Sequence, residues 1–122
     1  MINNYSKAKV ITPVKGKKYT KEQIIQMLII YQLKNNLSIQ EIKDLLTPIY
    51  ENNDDLSNLY DHFIDIKHSL NSQLKKMIQK IMDDYQLKIE NYQDLFLLVA
   101  ILSSLSHSLT NIAEMLIETK EI

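Results

Sequence analysis

The sequence predicts an all-α protein with a small β wing near its N-terminus, and three observations lead there. Apolar residues recur at helical spacing along four long stretches of the chain. Capping patterns stand at the start of three of those stretches. Only one Gly and two Pro occur in 122 residues, too few for a sandwich or barrel, which needs both at its turns.

The elements follow in order. Residues 1–9 form a short helical candidate ending at Val10-Ile11. From Val10 to Tyr19 the only Gly lies among β-favouring residues, which predicts a small hairpin or extended wing with Lys15-Gly16 near its tip. Thr20 with Gln23, and Ser38 with Glu41, each make a capping box. Behind the first, Ile24, Leu28 and Tyr31 with Ile25, Ile29 and Leu33 trace an apolar face that ends at Asn35-Asn36. Behind the second run Ile39, Ile42, Leu45, Leu46 and Ile49, with Pro48 expected to strain or end the helix near Thr47.

Asn52-Asn53-Asp54-Asp55 marks the clearest boundary and suits a linker or N-cap. Leu56, Phe63, Leu70 and Met77 then recur every seven residues, as one helix to about Tyr85 or as two broken at Ser69–Ser72. Asn91 with Asp94 opens a last helix to about Glu118, beginning with the apolar run from Leu95 to Leu102. No charge occurs between Asp94 and Glu114, so a membrane span has to be weighed. Serines at 103, 104, 106 and 108, His107 and Asn111 dilute its second half, and no positive flank orients it. The expectation is therefore a helix buried nearly all round, away from any membrane. Ala100, Ser104 and Ser108 lie four apart, a small-residue ridge that lets another helix approach closely.

Charge is unevenly placed. Residues 1–21 hold six lysines and no acid, while residues 22–122 hold eight lysines and all 15 acids, so +6 faces −7 behind a net charge of −1. A basic end on an acidic body fits contact with a polyanion, and it fits a solvated arm as well. Arg is absent, so guanine cannot be read through a guanidinium fork and lysine would serve as a phosphate contact. Without cysteine there are no disulfides, thiolate metal sites or Cys nucleophiles, which fits a reducing, cytoplasmic setting. The start of the chain has no apolar signal-peptide run.

Other constellations are sparse. His62, Asp65 and His68 are three apart on one helix and could bring two ligands to a metal, but they also read as a polar face opposite Leu59, Phe63 and Ile66. His107 among serines lacks a nearby acid and predicts a buried, hydrogen-bonded histidine. One Gly leaves no phosphate-cradling loop. Neither a cofactor nor an enzymatic activity is expected.

Residues 1–46 carry the most specific pattern. Met1-Ile2-Asn3-Asn4-Tyr5-Ser6-Lys7 precedes Lys17-Lys18-Tyr19, then Tyr19-Thr20-Lys21-Glu22 and Leu37-Ser38-Ile39-Gln40-Glu41-Ile42 with Leu45-Leu46. In this order they resemble MerR-type regulators: a recognition helix with a Tyr, a wing, and two characteristic helix starts. They look still closer to a bacterial family of unknown function with a MerR-like region.

The resemblance implies a partial MerR-like winged helix-turn-helix over residues 1–50 and a helical dimerisation or effector region over 51–122. It implies a shortened member, because a further helix precedes the equivalent of Met1–Lys9 in those families. Double-stranded DNA is the implied partner. Asn3 and Asn4 would reach adenine edges; Tyr5, Lys7 and Lys9 would contact the backbone or line the helix, and Lys15, Lys17 and Lys18 would reach phosphates from the wing. A homodimer through the second half, with Ala100, Ser104 and Ser108 at a helix crossing, would cover the apolar last helix. The competing reading is a helical self-association or protein-interaction module that has lost DNA contact.

Overall fold

The structure is a computed structural model, and it describes residues 4–5, 10–12 and 18–121. Among these residues there are four long helices and no strand: α1 (Lys21–Leu33), α2 (Ile39–Glu51), α3 (Leu56–Asp84) and α4 (Tyr92–Thr119). They form two compact units, Met1–His62 with Ala113–Ile122, and Phe63–Ile112.

Each helix start in the first unit is chemically specified. Thr20 accepts from the Gln23 N–H at 3.1 Å while the Gln23 side chain accepts from the Thr20 N–H at 2.8 Å. Ser38 and Glu41 repeat the arrangement at 3.1 and 2.9 Å. Both boxes satisfy amides that a helix start otherwise leaves without partners. Asp55 caps α3 through the Asn58 N–H. The end of α2 is closed by Asn53 in the left-handed region (φ 55°), with the Asn53 and Asp54 amides bonded back to Tyr50 and Ile49.

Pro48 lies inside α2, which continues to Glu51 instead of stopping near Thr47. Pro48 and Asp44 are both exposed, so the Asp44 carbonyl that loses its helical donor is open to water.

The core of this unit gathers Tyr5, Val10, Ile11, Ile30, Ile42 and Leu46, with Ile29, Leu33 and Ile49 packed around them. Ile30 and Ile42 are at most 2 % exposed, and each such side chain stabilises the fold by roughly 1.5–3 kcal/mol. On α1 the expected apolar face is only partly used. Ile25, Ile29 and Leu33 turn inward, but Ile24, Leu28 and Tyr31 stay exposed. The inward arc is completed by Gln23 and Gln26, polar residues that a hydrophobicity pattern passes over.

The expected wing is not formed among the described residues. Val10 and Ile11 enter the helical core, and the backbone of Thr12 bonds to side chains rather than to a facing strand. Residues 13–17, with the expected tip, lie outside the described residues. Asn4 and Tyr5 are helical, as expected of the first segment.

The second unit is a helical hairpin. α3 runs unbroken through Ser69–Ser72, so the single long helix is the form adopted. It ends at Gln86 in the left-handed region (φ 56°), with the Gln86 and Leu87 amides bonded to Asp83 and Met82. Asn91 caps α4 through the Asp94 N–H at 3.0 Å, and the Asp94 carboxylate accepts from the Lys88 N–H at 2.8 Å, tying down the connection.

α4 is not buried all round. Leu98 is its only buried residue, and Phe96, Val99 and Leu109 are more than half exposed. His107 is exposed as well, not the buried histidine expected. By length and composition α4 could cross a membrane.

Candidate nucleic-acid interface

The expected DNA-contacting residues are Asn3, Asn4, Tyr5, Lys7, Lys9, Lys15, Lys17 and Lys18. Asn3, Lys7, Lys9, Lys15 and Lys17 lie outside the described residues. Asn4 is exposed on helical backbone, and Lys18 is exposed. Tyr5 is 7 % exposed and belongs to the core cluster, so its ring packs against the fold and is turned from solvent.

The flanks of the lysine segment are held by two buried glutamines of α1. Gln23 Nε2 donates to the Thr12 carbonyl at 2.9 Å, while Gln23 Oε1 accepts from the Thr20 N–H at 2.8 Å and from Thr20 Oγ1 at 3.2 Å. One side chain thus joins the chain before the segment to the chain after it. Gln26 Oε1 accepts from the Thr12 N–H at 2.9 Å and from Thr12 Oγ1 at 3.3 Å. Both polar groups of the Thr12 backbone are therefore satisfied by α1, as a neighbouring strand would satisfy them. Gln23 and Gln26 are 2 % and 0 % exposed, so these bonds are shielded from competing water.

Sequence reasoning missed this clamp. Its signal was available: two glutamines three apart beside Ile25 and Ile30, on a helix turn that apolar residues would otherwise fill.

Among the described residues of this unit two polar atoms are buried without a partner, Gln26 Nε2 and the Tyr50 hydroxyl. Burial, with the negative charge of Glu22 adding, pushes the Tyr50 hydroxyl well above the ordinary phenol range. On another part of the unit, Glu41, Asp44, Glu114 and Glu118 surround a shallow hollow with Lys120. That acidic surface would repel a polyanion, whereas the six lysines of residues 1–21 carry no acid among them. His62, Asp65 and His68 are all exposed, and the described residues contain no group of three or more His, Asp or Glu arranged to hold a metal.

Ala100, of the expected helix crossing, is half-buried, and Ser104 and Ser108 are exposed. No curated protein and no solved structure matches the chain. A family model does, the domain of unknown function DUF1836, over residues 1–63, a stretch that contains the glutamine clamp, α1 and α2. That match covers just over half of the chain, which therefore belongs to this family of unknown function.

Proposed function

We propose that the chain is a cytoplasmic, non-enzymatic transcriptional regulator of MerR-like type that binds double-stranded DNA through residues 1–21. The observation that carries this reading is the clamp. Gln23 bonds to both Thr12 and Thr20, the described flanks of the stretch of sequence that holds Lys15, Lys17 and Lys18. A lysine segment whose two flanks are pinned by buried hydrogen bonds to a capped helix would meet phosphates with those flanks already ordered. The order of motifs from Met1 to Leu46 supports the same reading. Asn3 and Asn4 would supply adenine contacts and the lysines the phosphate contacts.

Anisotropy titration of a labelled duplex, with wild type and a Lys15→Ala/Lys17→Ala/Lys18→Ala variant, tests the proposal. The variant should bind at least tenfold more weakly. Equal affinity of the two proteins would remove these lysines from the interface, and no binding by wild type would leave the second reading, a helical interaction module. The apolar surface of the Phe63–Ile112 hairpin favours that second reading.

A further inference from the structure

We propose that the hairpin Phe63–Ile112 is a self-association module, and that a broad apolar face shared by its two helices seats the same face of a second copy to close a four-helix bundle. Every residue involved lies in the second unit, and self-association there is independent of DNA binding.

In the whole of Phe63–Ile112 the only buried side chain is Leu98. Two helices side by side can cover one strip of each other and no more, which falls short of a core. The strip they do cover is visible in the burial pattern. Ile64, Ile78 and Met82 of α3 are half-buried, as are Leu95 and Leu102 of α4 on either side of Leu98.

Beside that strip each helix keeps a second apolar one. On α3 it is Ile66, Leu70, Leu74 and Met77, which are 42–52 % exposed. On α4 it is Leu97, Ile101, Leu105 and Ile112, which are 38–45 % exposed. At 100° per residue each set falls within an arc of about 80°. Each arc is centred about a quarter turn from the covered strip of its own helix, in the same rotational sense. Because the short connection 85–91 reverses the chain direction, the two quarter turns lead to the same side of the hairpin. The eight side chains therefore make one continuous face. Ser104 and Ser108, exposed at the edge of the α4 strip, are small enough for a second pair of helices to come close.

The area is that of a dimer contact. At these exposures the eight side chains still show on the order of 700 Å² together, near the ~800 Å² per partner of a standard interface.

The charge pattern identifies the occupant. Phe63–Ile112 contains five Lys and five acids, so it is neutral overall. It has neither the cationic excess that draws a helix to an anionic membrane nor a net charge that calls for an oppositely charged protein. The far side of α3 carries Asp65, Ser72, Gln79 and Asp83; that of α4 carries the exposed Phe96 and Val99 in its first turns and then Ser103, His107, Thr110 and Asn111. A membrane-spanning helix is apolar all round, whereas this pair segregates polar from apolar beyond the first turns of α4. A neutral apolar face flanked by a polar one is complementary to its own copy through a two-fold axis.

Sedimentation equilibrium of the full chain at micromolar concentration tests the proposal. The expected result is a dimer that Leu70→Glu with Leu105→Glu weakens at least 100-fold, while Gln79→Glu on the polar side leaves it unchanged. Isotope-filtered contacts between labelled and unlabelled wild-type copies, at the Leu70 and Ile101 methyl groups, give the same answer without any variant. A monomeric wild type, or intermolecular contacts absent from these methyls, overturns the proposal. So does flotation of the wild type with phosphatidylcholine vesicles that abolishes the dimer.

Discussion

Leucine at Gln23 and leucine at Gln26 should have unequal consequences, although the two residues lie three apart on one buried arc of α1. Replacing Gln23 removes the bond to the Thr12 carbonyl and both bonds from Thr20. A buried carbonyl left without a donor costs about 1–3 kcal/mol, and loss of half a capping box adds about 1 kcal/mol. Gln23→Leu should therefore destabilise the first unit by about 2–4 kcal/mol. Replacing Gln26 frees the Thr12 N–H, a loss of the same order, but it also removes Gln26 Nε2, which is buried without a partner. The two effects oppose each other, so Gln26→Leu should change stability by less than about 1 kcal/mol. Urea unfolding, followed by residue-resolved amide exchange at Ile30 and Ile42, reads the stability of this unit rather than that of the hairpin. The Thr12 amide adds a local signature: it should exchange faster in Gln26→Leu even where global stability is unchanged. Equal costs for the two variants, or a larger one for Gln26→Leu, would refute the account of the clamp.

Three further outcomes follow from the local chemistry. Tyr50→Phe should stabilise the fold by up to about 1 kcal/mol, because it removes a buried hydroxyl without a partner. The raised Tyr50 group is neutral in the fold, so its contribution is complete below the unfolded pKa of 10.0 and falls away as pH rises beyond it. Urea midpoints between pH 8 and 11 should therefore decline for wild type and decline less for Tyr50→Phe. Gln86→Gly should raise the thermal midpoint, since the left-handed backbone at Gln86 costs a side-chain-bearing residue about 1–2 kcal/mol, partly offset by the greater freedom of Gly when unfolded. A lower midpoint in Gln86→Gly would contradict the turn geometry described.

The helix starts were legible in the sequence because each depends on residues three apart. Thr20 with Gln23 and Ser38 with Glu41 carry their hydrogen-bonding partners within the pattern itself. The continuity of α3 was not legible, since the period of Leu56, Phe63, Leu70 and Met77 is the same whether or not the helix breaks. Burial was misjudged where it depends on what lies opposite. Run composition made α4 look like a core helix, yet only α3 covers it within the hairpin, and His107 turns to solvent. No strand forms at the described residues of the expected wing, for a related reason. Val10 and Ile11 favour strands locally, but the hydrophobic gain from joining Ile30, Ile42 and Leu46 outweighs that preference. The partners of Thr12 are 11 and 14 residues away, beyond any local signal.

The most direct test of DNA binding by residues 1–21 is the salt dependence of affinity for a duplex. Four to six lysine–phosphate contacts predict a log–log slope of about −4 to −5. The Lys15→Ala/Lys17→Ala/Lys18→Ala variant should retain a slope shallower by about 2–3, with the loss shared among all duplex sequences tried. An affinity that does not change with salt, or a slope that the lysine variant shares with wild type, would contradict the account.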